Sequence, residues 1–122
     1  AVGQGTFLNA TSGSNNVGVG KYAGFRDTND AGVTSSNKSV FIGAETKPLN
    51  ATSTNEIVIG YDARGLGNNS TVLGNSLITQ AKVFGALELG AGIWVSDKAT
   101  PEDAAVRLRE VFDKVPEVPQ SA

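Results

Sequence analysis

The chain has 122 residues, a net charge of −2, and neither histidine nor cysteine. That excludes disulfides, thiolate nucleophiles, His-based general bases, Ser-His-Asp triads and ordinary zinc sites. There is no basic run for counterion-driven nucleic-acid binding, no apolar stretch near the ~18–20 residues that insert across a bilayer, and length for one domain at most.

From the N-terminus onward one short phrase keeps returning. Val2-Gly3-Gln4-Gly5 is a faint copy, and Val17-Gly18-Val19-Gly20, Val40-Phe41-Ile42-Gly43, Ile57-Val58-Ile59-Gly60 and Thr71-Val72-Leu73-Gly74 are clear ones. Each is a β-branched or apolar run closed by glycine. The closing glycines, Gly5, Gly20, Gly43, Gly60 and Gly74, stand 15, 23, 17 and 14 residues apart. Residues 1–84 therefore read as a glycine-punctuated β-repeat region. The runs at 40–42, 57–59 and 71–73 are too short for helices and are predicted as strands.

The segments between them (9–16, 34–39, 50–55 and 67–70) are crowded with Asn, Ser, Thr and Gly, which are turn residues. Strand, glycine corner, polar turn and next strand suit the parallel coils of a β-roll or β-helix. A hairpin would want a two-residue Asn-Gly or Asp-Gly loop, and none occurs. The glycines are predicted as backbone corners. Ile42 and Ile59, each just before one, are expected to be buried and equivalently placed. A unit this small cannot bury its apolar face alone, so it must stack on its neighbours or on other chains.

Two segments lengthen the repeat, residues 21–39 and 44–56. Insertions of this kind emerge as loops on one face, where binding surfaces are often built. The first carries the candidate receptor contacts Tyr22, Phe25, Arg26 and Asp27, with inter-chain packing as the competing role for Phe25. Phe7 and Tyr22 stand two residues after a closing glycine and Tyr61 one after, a shared place that argues for packing. Asp27 with Asp30 is the only close acid pair in a loop of this kind. A glycosidase needs two carboxylates flanking a sugar cleft, and no aromatic cleft pattern accompanies the pair, so a solvated loop accounts for it.

Gly18-Val19-Gly20-Lys21-Tyr22-Ala23 formally matches a dinucleotide fingerprint, but it lacks the strand before and the helix after. The repeat explains its glycines. Turn chemistry likewise explains the N-x-S/T sequons at Asn9, Asn37, Asn50, Asn68 and Asn69. No catalytic, metal or cofactor-binding residue is predicted.

Residues 85–97, with the single Trp94, are predicted as terminal strands. Thr100-Pro101-Glu102-Asp103 then opens a helix, with Thr as N-cap, Pro at the first helical position and acids in the first turn. Ala104, Ala105, Leu108, Val111, Phe112 and Val115 form its apolar stripe. The helical region is 98–116, and residues 117–122 are an extended tail. A helix of ~14 residues is marginal alone, so its stripe is expected to dock near Ile93 and Trp94.

Two phrases carry a resemblance. Ser14-Asn15-Asn16-Val17-Gly18-Val19-Gly20-Lys21-Tyr22-Ala23 and Asn55-Glu56-Ile57-Val58-Ile59-Gly60-Tyr61-Asp62-Ala63 resemble a repeat of bacteriophage tail fibres and tail-spike appendages. They are also similar to the head repeat of bacterial trimeric autotransporter adhesins. The shared pattern is roughly Asn-x-apolar-x-Ile-Gly-x-x-Ala. The 14-residue Gly60-to-Gly74 spacing matches the adhesin type, and the uneven remainder favours the looser phage-fibre type.

The resemblance implies a mainly β fold, a parallel β-roll or triple β-helix in a homotrimeric fibre, with the short C-terminal α-helix capping it. It implies a non-enzymatic, structural and adhesive role as the distal part of a phage tail fibre, on an extracellular virion tail. The partner is a host cell-surface receptor, with carbohydrate one candidate class. The chain opens without Met, inside a repeat, and is read as the C-terminal part of a longer protein whose missing part meets other tail proteins. The alternatives are a trimeric bacterial adhesin head on the cell surface and a polysaccharide-binding or -degrading tailspike. An ice-binding β-roll would want a regular Thr ladder that the spacing does not give.

Overall fold

The structure, a computed structural model, describes residues 1–91. They belong to two units, Ala1–Lys82 and a second that starts at Val83. β-Branched residues favour extended backbone, and the four clear runs of the first unit become strands: β1 (Val17–Val19), β2 (Val40–Ile42), β3 (Glu56–Ile59) and β4 (Ser70–Leu73). They form one parallel sheet in the order β1-β2-β3-β4. Parallel neighbours need a connection of roughly a dozen residues or more, usually a helix. Here the polar, turn-rich segments supply it, and no helix occurs among the described residues.

The register aligns three rows: Val17-Val40-Ile57-Thr71, Gly18-Phe41-Val58-Val72, and Val19-Ile42-Ile59-Leu73. The ladder continues past the strands. The Tyr22 N–H donates to the Gln4 carbonyl at 2.8 Å, Glu45 to Lys21 at 2.8 Å and Asp62 to Ala44 at 2.9 Å. Farther on, Phe7 donates to Ala23, Gly24 to Thr46 and Lys47 to Ala63, each at 3.0 Å. Each repeat thus hydrogen-bonds the next along its connection as well as its strand.

Alternation along a strand sends the middle row inward. Phe41 and Val58 are fully buried with Ala23 and Ala63, and Phe7 packs against this cluster. Gly18, the β1 member of the row, leaves the space that Phe7 occupies: a Cβ there would stand 2.5 Å from Phe7 Cε2. The Phe7 ring meets Phe41 edge to face, with centroids 5.8 Å apart and planes at 75°. Beside Val33 and Pro48, these four are the only buried apolar side chains among the described residues.

Polar groups fill the rest of the interior. Ser36 Oγ donates to the Ser53 carbonyl at 3.0 Å, and Ser39 Oγ accepts from the Glu56 N–H at 3.1 Å. The buried Glu56 carboxylate accepts through Oε1 from the Gly67 N–H at 2.8 Å and the Leu49 N–H at 3.3 Å, while its buried Oε2 has no partner among the described residues.

The structure corrects several expectations. Ile42 and Ile59 are equivalently placed, but on the outer row. Ile42 is exposed and Ile59 half-buried, because the residue preceding each has taken the inward position. The first repeat closes at Gly3, not Gly5. Val2 bridges Val19, and the Gly20 N–H donates to the Val2 carbonyl at 2.8 Å, which sets Gly3 in line with Gly20. The corner glycines Gly3, Gly20, Gly43, Gly60 and Gly74 have φ of 126°, 128°, 125°, 129° and 90°. Gly5 stands instead against the Tyr22 ring, at φ 68°. The first spacing is then 17, the same as that from Gly43 to Gly60. No strand forms over 85–91, where the backbone has no ladder partner among the described residues. The remaining terminal-strand residues 92–97, with Ile93 and Trp94, the helix at 98–116 and the tail at 117–122 lie outside the described residues.

Candidate ligand-binding site

The longest connection, 20–39, folds back on itself. Arg26 and Gly32 form an isolated antiparallel bridge, and the Asp27 N–H donates to the Ala31 carbonyl at 2.8 Å. Asp27 closes this small loop from within. Its buried carboxylate accepts through Oδ1 from the Asn29 N–H at 2.8 Å and the Ala31 N–H at 3.0 Å. An Asp that caps its own loop in this way is a turn-former. Asp27 does not line the neighbouring cavity. The Asp27–Asp30 pair does not flank a cleft either, since Asp30 lines the cavity and the buried Asp27 does not.

Beside that loop lies an open cavity of about 330 Å³, lined by Tyr22, Phe25, Arg26, Asp30, Glu45 and Lys47. The loop supplies the first four. The ladder between Lys21 and Glu45 and between Gly24 and Thr46 brings the other two alongside. Tyr22 and Phe25 are half-buried, with ring centroids 5.3 Å apart and planes tilted by 31°. The Arg26 guanidinium lies 4.8 Å from the Phe25 centroid, and Lys21 Nζ 5.2 Å from that of Tyr22. Arg26 Nη1 also donates to the Asp30 carbonyl at 2.7 Å.

Lys47 Nζ donates to Asp30 Oδ1 at 2.9 Å, an ion pair that ties the loop to the next repeat. That hydrogen bond, and then the Lys47 charge itself, hold the Asp30 carboxyl below the usual carboxylate range. Glu45, which is exposed, and the half-buried Tyr22 complete the polar lining of the cavity.

Of the sequence-level candidates, the structure brings Tyr22, Phe25 and Arg26 together around this cavity and places Asp27 inside the adjoining loop. Sequence reasoning missed Asp30, Glu45 and Lys47. A signal for Glu45 was present: it follows its closing glycine by two residues, as Tyr22 does, and the two share a left-handed backbone at φ 58° and 59°. Tyr61, by contrast, is exposed. No group of three His, Cys, Asp or Glu side chains converges among the described residues. No protein-family model matches the chain, and neither a curated protein nor a solved structure does.

Proposed function

We propose that the chain is the distal part of a homotrimeric attachment fibre of the phage-tail type, in which each chain winds its repeats into a parallel β-roll. The observation that carries this reading is the outer face of the sheet. Val17, Val19, Ile42, Ile57 and Leu73, on the two outer rows, are all exposed. A contiguous apolar face of this kind is what an assembly interface presents. The thin interior argues the same way, since small cores are usually completed by association or staples, and a chain without cysteine has no disulfide staples.

In such a fibre the role is mechanical and adhesive. The rows stack into a rod, and the loop at 21–39 stands off it as the contact surface for a host receptor. An adhesin head shares this physics, and the Gly60-to-Gly74 spacing of 14 favours it. The test is the mass of the native particle in solution by light scattering. A trimer is expected, and a monomer would defeat the fibre reading in both forms.

A further inference from the structure

We infer that the cavity between Tyr22, Phe25, Arg26, Asp30, Glu45 and Lys47 binds a neutral sugar residue. This rests on the attachment reading and gives it a ligand class. The first argument is charge. The wall carries two cations, Arg26 and Lys47, and two carboxylates, Asp30 and Glu45. Such a wall has no net charge to concentrate an anion or a cation. It offers both strong donors and strong acceptors within one cavity. A sugar hydroxyl both donates and accepts, and neighbouring hydroxyls on one ring present the alternating pattern this wall can satisfy. An isolated carboxylate or ammonium would satisfy half of it and oppose the rest.

The second argument is apolar surface. Tyr22 and Phe25 stay half-buried rather than entering the interior, and their rings lie close at a shallow tilt. The Arg26 guanidinium lies over part of Phe25 and sets N–H donors beside that surface. Aromatic rings beside polar groups form an amphipathic site, apolar where C–H groups lie and polar where hydroxyls do. The cavity volume of about 330 Å³ stands at the small end of ligand pockets. It fits one ring of a larger glycan, with the rest of the glycan outside.

The third argument is fixity. Asp30 is held by Lys47 and its own carbonyl by Arg26, so the polar wall is positioned before a ligand arrives. Glu45 and Tyr22, also on the lining, add a carboxylate and a hydroxyl to that wall. Pre-positioned groups of this kind lower the ordering cost of binding. A single small ring still supports affinity only on the order of millimolar. Repetition of the site on three chains would then supply the avidity that attachment needs.

The test is saturation-transfer NMR on the full-chain particle. The probes are methyl glucoside, methyl galactoside and methyl N-acetylglucosaminide, with glucuronate and glucosamine as anionic and cationic comparators. At least one neutral glycoside is expected to be saturated by the aromatic protons and the charged comparators weakly or not at all. Arg26→Ala and Glu45→Ala, both at exposed positions, are expected to weaken binding roughly tenfold or more, with particle mass and circular dichroism unchanged. Saturation of glucuronate alone, of no sugar, or a signal in both variants equal to that of wild type would overturn the inference. Adsorption of the particle to bacterial cells, measured alongside, separates the two readings. Adsorption without sugar saturation rejects this ligand class and leaves attachment standing. Sugar saturation by a particle that weighs as a monomer upholds the site while the fibre reading falls.

Discussion

A methyl group at Gly43 meets two obstacles at once. The backbone there has φ 125°, a conformation that side-chain-bearing residues rarely adopt, and an added Cβ would stand 2.7 Å from both the carbonyl carbon and oxygen of Gly60. Strain of this kind costs roughly 1–3 kcal/mol. The overlap adds to it, because the obstacle is the backbone of the adjacent repeat rather than a side chain that can swing away. Gly43→Ala is therefore expected to lower unfolding stability by about 3 kcal/mol or more per chain, read by denaturant titration. Gly67→Ala is the comparison. Its φ is also positive, at 106°, but the Cβ would meet only Leu49 Cδ2, at 3.1 Å. It should cost clearly less, and equal losses would show that the stacked corner is not what constrains Gly43.

The Asp30–Lys47 pair gives a residue-scale expectation for pH. The carboxyl of Asp30 titrates below its ordinary 3.8 because Lys47 bonds and attracts it in the folded chain. A carboxyl lowered by folding stabilises the fold above its unfolded value and loses that contribution as pH falls through the folded one. Wild type should thus exceed Asp30→Asn in melting temperature at neutral pH, and the gap should close below about pH 3.8. The gap should be small, because Asp30 is well exposed and solvent screens the pair. A gap that persists at pH 2 would assign the effect to something other than this ion pair.

At the scale of the element, each strand is entered through a left-handed residue. Asn15, Lys38, Asn55 and Asn69 each stand two residues before the row Val17, Val40, Ile57 and Thr71 and share φ of 60°, 52°, 58° and 60°. Asn tolerates this conformation better than other side-chain-bearing residues, and Lys38 is the exception among the four. Neighbouring amides also bond each other, with Asn55 Nδ2 donating to Asn69 Oδ1 at 2.9 Å. Lys38→Asn should relieve the backbone and extend that amide row. A gain of roughly 0.5–1 kcal/mol is expected by the same denaturant titration, and a loss would mean that the Lys38 side chain contributes more than its backbone costs.

The same scale explains what was legible in the chain beforehand. The strands were legible because their β-branched runs are bounded by glycine and polar turns, and parallel pairing followed from the absence of hairpin loops. Which face is inside was not. A three-residue run such as Val40-Phe41-Ile42 fits period two in either phase, and only its neighbours decide. Here Ala23 and Ala63 leave room for Phe41, while Gly18 admits Phe7. The first corner was ambiguous because Val2-Gly3-Gln4-Gly5 has two glycines, and pairing with Val19 selected the earlier one. The site was half legible. Tyr22, Phe25 and Arg26 share one loop, whereas Glu45 and Lys47 arrive from the next repeat through a ladder that sequence proximity does not reveal. Asp27 looked like a surface acid until the Arg26–Gly32 bridge closed around it.

For the whole molecule, the proposed assembly turns on the outer rows of the sheet. Ile42 is well placed to probe them. It lies in β2, inside the sheet rather than at its edge, and is exposed in the single chain. Its side chain is on the face opposite Phe41, so replacing it leaves the interior of the repeat untouched. A lysine there can keep its ammonium in water when the chain is alone. In a trimer that buries this face, the same ammonium would be taken from water once per chain with no carboxylate in its register row to receive it, the row being Val19, Ile42, Ile59 and Leu73. Ile42→Lys is therefore expected to convert the trimer to monomer, seen by sedimentation velocity, while the β-type circular dichroism signal remains. A variant that still sediments as the trimer would show that the chains meet elsewhere, and one that loses the β signal as well would show that the repeats do not hold their register without their neighbours.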